Sequence, residues 1–483
     1  MTEHVVGLDI GSTYLKAVLL RTDGAFAHEA RKHTPWRHLP GGHAEMDAPV
    51  LLAEVADLLA ALGAAVPPGG RVVGIGVSGM AEAGVLVDGD GHVDRPVPAW
   101  FDPRGDAEAA GLDPDLAAEF PRRTGLPVGP LPTFAKLLHA RATGVRLAGH
   151  QWLNLPEYVA HALGGGRFGE PSLRSRTGLV DQDTGEAWAA PLALLDAPDD
   201  LLPPRRTAGE PWGTATRLVP PALRGAVLTV AGHDHLVASV AESCVDRGDL
   251  YDSIGTAEAL LRVVAGTTDG DTRARLAGQG ISVGAHLLPG RGVLLAGIKT
   301  GLILRRVLQL VGITDAAGRA ALDDRVSALG PDAPAAHALR VTGADNADGV
   351  LTLRVDGDGL SPELFFATAL DHSTRVVVEV LARMDAAVGR ADRTVLSGGW
   401  CAMRAVRRAR AAVLPRVQVS ERIEATVHGA GMVAAFACSD PGPDRDLVAF
   451  ARAFGARAPD PPALDAPALD AQHEPTIGKG GTR

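Results

Sequence analysis

Two short stretches with almost the same grammar, one opening each half of this 483-residue chain, constrain its fold more than any other feature. Asp9-Ile10-Gly11-Ser12-Thr13 closes an apolar run, HVVGLDI at 4–10, and leads into a second, LKAVLL at 15–20. Asp252-Ser253-Ile254-Gly255-Thr256 sits in the same way inside DLYDSIGTAEALLRV, 249–263. Each reads as strand, small-residue turn, strand. Their recurrence in corresponding places predicts a duplicated α/β unit with a cleft between the copies. The length, about three typical domains' worth of chain, leaves room for it.

The remaining pattern fills in two such units. Leu/Ala periodicity predicts a helix over 50–63, RVVGIGVSG (71–79) a buried strand, and GVLVDGDGHV (84–93) a hairpin turning on Asp-Gly. Helices are expected over 105–119, 133–142 and 156–163, joined by Pro-rich connections. The second half predicts helices over 301–311 and 361–388, a strand at 393–398, and Ala-rich helices near 400–413 and 427–438. After 456 the repeated Ala-Pro-Asp and the ending GKGGTR read as a disordered tail.

Turns of Gly, Ser and Thr let backbone N–H groups approach phosphate oxygens without a Cβ in the way, and the hydroxyls add donors. A carboxylate just before such a turn, as Asp9 is, suits Mg²⁺ with substrate phosphates completing the shell. Taken singly, either turn is equally an ordinary hairpin; occurring twice, they favour a nucleotide cleft. Two better-known signals are decoys. GIGVSG (74–79) fits a dinucleotide fingerprint but lacks the helix that must follow. GVLLAGIKT (292–300) nearly spells a P-loop, yet Ile298 between Gly297 and Lys299 puts the lysine out of register. The Asp-Gly repeats at 88–91 and 356–359 lack the later ligands of a calcium loop and read as turns.

Charge and cysteine usage exclude several classes. The net charge of −10 argues against a nucleic-acid partner and against an anionic membrane surface. The three cysteines, Cys244, Cys401 and Cys438, lie far apart and form no C-x-x-C, so neither a disulfide framework nor a zinc site is expected. The N-terminus has no basic n-region followed by an apolar stretch, and no run approaches the ~20 apolar residues of a membrane span. A cytoplasmic location is the expectation.

With these pieces in place the chain resembles the FGGY carbohydrate kinases, the family of glycerol kinase, xylulokinase and ribulokinase. The resemblance is carried, in order, by VVGLDIGSTYLKAVLL (5–20), GIGVSG (74–79), PAWFDPRG (98–105), FAKL (134–137) and LPEYVAHALGG (155–165). It continues through AGHDHLVASV (231–240), DSIGTAEALL (252–261), LSGGW (396–400) and EATVHGAGMVAAF (424–436). It implies two actin-like, ribonuclease H-like α/β domains with an ATP and substrate cleft between them. The implied division is 1–245 for the N-terminal domain and 246–440 for the C-terminal domain, with 441–483 a C-terminal helix and tail. The implied activity is transfer of the γ-phosphoryl group of MgATP to a hydroxyl of a sugar, ketose or polyol. The resemblance leaves a homodimer open, and nothing in the sequence places its interface.

Carried over residue by residue, Asp9 is similar to the family's metal-associated aspartate, and Gly11, Ser12 and Thr13 to its first phosphate turn. Gly255 and Thr256 match the second phosphate turn. Gly398 and Gly399, with Glu424 and the helix after it, match the adenosine pocket. Asp234 occupies the place of the catalytic base, a position that also reads as a helix start. An alcohol must give up its proton as the O–P bond forms, and a carboxylate at hydrogen-bonding distance accepts it. Glu82, Trp100, Asp102 and Arg104 are the expected acceptor contacts, with His235 beside them; for Asp102 and Arg104 a loop-fixing pair is the equal alternative. Lys16 reads as a solvated strand residue, and His233 is assigned no catalytic role.

Departures from the relatives bear on the acceptor. Glycerol kinase holds glycerol with a Gln-Arg-Glu triplet and a tyrosine; here the triplet reads Met80-Ala81-Glu82 and the tyrosine position falls at Leu131. The Gln-Met-His of xylulokinase is not reproduced either. An acceptor other than glycerol or xylulose is therefore expected. Glu258 stands after the second turn where relatives usually carry a small residue, a carboxylate that would repel phosphate unless turned away or bridged by metal. Two other readings stay open on sequence alone: a catalytically silent sugar- and ATP-binding regulator on the same scaffold, and an actin-like ATPase module.

Overall fold

The computed structural model describes residues 2–329, 339–342, 352–356, 360–422, 424–439 and 445–455. The first half is built on a six-stranded sheet. Its strands are β1 (Glu3–Ile10), β2 (Tyr14–Arg21), β3 (Phe26–His33), β4 (Arg71–Gly79), β5 (Gly213–Thr214) and β6 (Val227–His233), in the spatial order β5-β6-β4-β1-β2-β3. β1, β2 and β3 form an antiparallel meander, and β4 and β6 join β1 in parallel.

The second half repeats the plan with β7 (Asp249–Ile254), β8 (Glu258–Ala265), β9 (Ile281–Ala285), β10 (Arg291–Ile298), β11 (Arg393–Ser397) and β12 (Val417–Val419). Their order is β9-β10-β8-β7-β11-β12, with β7, β8 and β10 antiparallel and β7, β11 and β12 parallel. Three antiparallel strands followed by two parallel ones occur in both sheets. The two glycine turns close the equivalent hairpins, β1–β2 and β7–β8. The duplication expected from the two turns is present.

The helices used below are α1 (Ala48–Ala65), α2 (Thr133–Ala142), α3 (Leu155–Leu163), α4 (Asp234–Ala241), α5 (Thr300–Leu310), α6 (Pro362–Val388), α7 (Arg404–Ala411), α8 (Ala425–Cys438) and α9 (Leu447–Gly455). α1 buries Leu51, Val55, Leu58, Leu59 and Leu62, a stripe at helical spacing, in the core beneath the first sheet. Among the described residues it is the one helix long and apolar enough to cross a membrane by length and composition. That length was not anticipated.

α8 belongs to the second half in sequence but packs on β1, β4 and β6 of the first sheet and alongside α4. The approach is close because the strands facing it carry glycine. A Cβ at Gly7 would fall 1.9 Å from the Val427 carbonyl oxygen, and one at Gly76 2.1 Å from that of Ala430. One apolar cluster therefore takes in Val5 and Leu20 of the first sheet, Tyr251, Leu261 and Val395 of the second, and Leu236, Val427 and Val433 of the helices between them.

Three local expectations are corrected. The hairpin at 84–93 is a strand, Gly84–Val87, whose partner is Gln151–Asn154 and not its own return. The helix over 105–119 is two, Asp106–Ala110 and Pro114–Thr124, because Asp113 caps a new helix by accepting from the Asp115 and Leu116 N–H groups. The helix near 400–413 is a short 3-10 turn, Gly399–Ala402, followed by α7. GIGVSG lies within β4, and the 88–91 repeat is a turn in which Asp88 accepts from the Asp90 and His92 N–H groups. The repeat at 356–359 falls mostly outside the described residues, as does the tail after 455; α9 precedes that tail.

Candidate active site

In a partly parallel sheet the strand ends at one edge carry the loops that meet a ligand. In the first sheet that edge gathers the expected residues by register. Asp9 on β1 is level with Ser78 on β4, and Ser78 with Gly232 on β6. Ser78 donates its hydroxyl to the Gly232 carbonyl at 3.1 Å. Beyond these positions come the Gly11–Thr13 turn, Glu82 three residues past β4, and Asp234 as the first residue of α4. The second sheet repeats the arrangement: Ser253 is level with Ser397, and the next residues along include Gly255 and Gly398.

Asp9 is 6 % exposed, and its Oδ1 is buried with no hydrogen-bond partner. Burial, and then the negative charge of Asp234, push its carboxyl up to about 8, with Lys16 opposing. Asp234 goes the other way. Burial would raise it, but His235, His233, the His235 N–H at 2.6 Å and Lys16 outweigh that and hold it below the ordinary carboxylate range. His233 Nε2 lies 3.2 Å from Asp234 Oδ1 and His235 Nε2 4.0 Å from it. His233 is buried, and its imidazole is held neutral by that burial, down at about 3; His235 is half exposed. The site thus sets two carboxylates close together, one at the start of a helix and one buried at a strand end.

The first turn is held from behind. Trp36 donates its indole N–H to the Ser12 carbonyl (2.8 Å), Thr34 its hydroxyl to the Gly11 carbonyl (2.6 Å), and Trp100 its indole N–H to Ser12 Oγ (3.2 Å). Thr13 at the tip is exposed. Around the second turn Thr256 is exposed, and Gly255 is closed by its N–H to the Ala257 carbonyl (2.9 Å). Gly398 has φ +95 and lies so close to Ile254 that a Cβ would meet its carbonyl oxygen at 2.4 Å. Gly399 beside it is exposed with open space where a Cβ would go, an arrangement that suits a flat ring laid on the backbone.

Several residues are found in other roles than the sequence suggested. Asp102 is buried and its carboxylate takes N–H donors from Ala44, from the Arg104 backbone and twice from the Arg104 guanidinium, each at 2.8 Å. Arg104 adds a bond to Glu45 at 2.9 Å. The pair fixes the loop that carries Trp100, the loop-fixing alternative the sequence left open for both. Glu424 precedes α8 and pairs with Lys16 at 2.5 Å, beside Asp9. Lys16 is correspondingly not a solvated strand residue. Glu258 is fully buried. Its oxygens accept from the Arg410 guanidinium at 2.8 and 3.0 Å and from the Thr300 hydroxyl, with Asp252 beside them.

Glu82 stays at the site but is not alone. It adopts φ +60, rare for a side chain of its kind, and is buried against Arg176, whose Nε donates to Oε1 at 2.5 Å. Arg176 and Lys136 were missed. Both act electrostatically on Glu82, and Lys136, buried near it, donates to the Trp100 carbonyl at 3.1 Å. Arg176 had no local signal, because its partner is 94 residues away in sequence.

Comparison with known proteins gives the following. Residues 4–240 match the model described as the N-terminal domain of the FGGY family of carbohydrate kinases. Glycerol kinase of Xanthobacter autotrophicus is 27% identical over 274 residues, 53% of this chain and 53% of that protein. Glycerol kinase of Methylobacterium nodulans is 28% identical over 277 residues, again 53% of each. The chain thus spans about half the length of the curated relatives it matches. Among solved structures, xylulose kinase from Rhodospirillum rubrum is 22% identical with a TM-score of 0.77, covering 94% of this chain and 98% of that one. Gluconate kinase from Lactobacillus acidophilus is 16% identical with a TM-score of 0.80, covering 94% and 92%. At these identities the structural likeness is one of fold, and it extends over both halves of the chain.

Proposed function

We propose that this chain, whose residues 4–240 match the N-terminal domain model of the FGGY family of carbohydrate kinases, is a member of that family and transfers the γ-phosphoryl group of ATP to a hydroxyl of a sugar or polyol, with Asp234 as general base. The observation that carries this reading is geometric: Asp9, with a buried Oδ1 that has no partner, and Asp234, the first residue of α4, stand at neighbouring strand ends beside a glycine turn. In this account residues 1–245 supply the acceptor side, the first turn and the base. Residues 246–440 supply the adenosine ledge and the second turn, with α8 docked across the first sheet.

Each residue's task follows from its surroundings. The backbone and hydroxyls of Gly11–Thr13 and of Gly255–Thr256 receive triphosphate oxygens, and Gly398 and Gly399 receive the adenosine. Phosphoryl transfer asks mainly for alignment and charge neutralisation, so held turns matter more than covalent chemistry. Asp234 takes the acceptor's hydroxyl proton at its carboxylate as the O–P bond forms. Its place at the start of α4 keeps it ionised and gives the incoming phosphoryl oxygens a helix N-terminus to face. Mg²⁺, when bound, would neutralise phosphate charge; Asp9, with its orphaned buried Oδ1, fits that ion, and Asp234 is near enough to share it.

On the acceptor side Glu82 with Arg176, Trp100 and the half-exposed His235 are the contacts we propose, bordered by the buried apolar Met80 and Ala81. Glu82 is already bonded to an arginine, so it offers an acceptor less than a free carboxylate would, in keeping with a substrate other than glycerol or xylulose. The test is ADP release across a panel of ketoses, aldoses and polyols, for the parent and for Asp234→Ala. ADP release that depends on an acceptor, reduced at least ~100-fold by the substitution, is expected. Equal release by the two proteins overturns the proposal.

A further inference from the structure

Behind Asp234 lies a buried polar chain that the phosphoryl-transfer account does not use. It begins at Glu157, which closes a capping box at the start of α3 by accepting from the Asn154 N–H at 2.8 Å. Glu157 also accepts from the Glu170 N–H at 2.9 Å. Glu170 Oε2 accepts from the Ser172 hydroxyl at 2.5 Å and from the Leu173 N–H at 3.1 Å. Ser172 Oγ, its proton committed to Glu170, accepts from the His233 N–H at 3.0 Å. His233 is the residue before Asp234, and its ring is the one that touches the Asp234 carboxylate.

The contact is tight as well as polar. Gly232 has φ +116, and a Cβ there would come within 2.8 Å of Ser172 Oγ and 3.2 Å of Glu170 Oε2. The bend that leads from β6 into α4 is therefore pressed against the Glu170–Ser172 pair. Glu170 and Ser172 are 0 % and 1 % exposed, and Glu170 Oε1 has no partner at all. Burying a carboxylate with one orphaned oxygen is unfavourable, and a serine and glutamate chosen for stability alone would be replaced to advantage by apolar side chains. What the pair supplies is direction: a hydrogen-bond chain of fixed polarity ending on a single backbone N–H. The same short segment carries Arg176, which holds Glu82, so one piece of chain orients both the base and the acceptor's carboxylate.

We propose that Glu170 and Ser172 are positioning residues for the reaction, fixing the Gly232–His233 bend so that the Asp234 carboxylate faces the reacting hydroxyl. The inference rests on Asp234 being the base. Neither residue touches substrate; both act through His233 and Asp234.

The test measures kcat and both KM values for Ser172→Ala, Glu170→Gln, Asp234→Asn and the double variant Ser172→Ala/Asp234→Asn, with the acceptor found in the panel. Ser172→Ala is expected to lower kcat about 10- to 100-fold while KM for ATP moves less than about 2-fold, the signature of misplacement and not of lost binding. Glu170→Gln, which still accepts from Ser172 and Leu173, should keep kcat within about 3-fold. The double variant should lose no more than Asp234→Asn alone, since the serine works through the aspartate. Wild-type kcat in Ser172→Ala, or a further loss in the double variant, overturns the inference. If Ser172→Ala does not fold, Ser172→Cys, of nearly the same volume but a weak acceptor, takes its place with the same expected fall and the same contrary result. Wild-type kcat in Asp234→Asn sinks the base itself, whereas an inactive Asp234→Asn beside a fully active Ser172→Ala sinks only the positioning role.

Discussion

Asp102 and Asp234 are both aspartates in stretches that carry the family resemblance, and their surroundings differ. Asp102 receives four N–H groups and is held down at about 2, so it anchors a loop and has little left to offer a ligand. Burial works against that shift, and the bonds from Arg104 and Ala44 overcome it. The sign of the linkage follows: a carboxyl whose folded pKa lies below its unfolded value stabilises above the unfolded value, and that stability is lost as pH falls through the folded one. Relative to Asp102→Asn, the parent should be more stable by about 1–2 kcal/mol above pH 4, after allowance for solvent screening. The advantage should fade between about pH 4 and pH 2 in urea titrations run across that range; an advantage that does not change with pH contradicts the assignment. At this scale the placement of Asp9 before a turn and of Asp234 at a helix start was readable, because each is set by its own stretch of sequence. Arg176–Glu82 and Lys16–Glu424 were not, because their partners are 94 and 408 residues apart and no local pattern connects them.

The elements that matter are the two matched hairpins, and they are braced differently. The β1–β2 tip leans on Thr34, Trp36 and Trp100 from neighbouring loops. The β7–β8 hairpin is braced from inside by Glu258, paired with Arg410 of α7 and bonded to Thr300 of α5. Asp252 completes the cluster, and burial, then the charge of Glu258, push its carboxyl well above the usual range, so the two acids do not both carry full charge beside one arginine. Removing one member of such a buried set leaves uncompensated charge. Arg410→Met should therefore cost about 3–5 kcal/mol in denaturant unfolding, and adding Glu258→Leu should recover most of it. A double variant no better than Arg410→Met would show that the cluster is not an ion-pair unit. The hairpins themselves were legible from apolar runs around Gly-Ser-Thr and Gly-Thr. The strand at 84–87 was assigned the wrong partner because alternation identifies a strand without saying which distant segment pairs with it. Glu258's orientation was likewise hidden, since sequence gives a residue's neighbours along the strand and not the face it turns to.

At the scale of the whole molecule, two repeats of one sheet plan share an apolar cluster through α4 and α8, and α8 crosses from the second half to lie on the first. The duplication was visible in the sequence; the crossing was not, because what permits it is the glycines at 7 and 76 opposite the α8 backbone, a fit between surfaces far apart in the chain. This architecture brings Asp234, Asp9 and the Gly11–Thr13 turn together on the first sheet and sets the Gly255–Thr256 turn and Gly398–Gly399 on the other. The account's central claim is that these two edges serve one reaction, ATP to a sugar or polyol hydroxyl. The most direct measurement uses ATP labelled in its γ-phosphate, follows the label after incubation with the best acceptor of the panel, and compares the parent with Asp234→Asn. The account predicts label in an acceptor phosphate ester in the parent and its loss in the variant. Label appearing in the parent only as inorganic phosphate, at a rate indifferent to the acceptor, would contradict it.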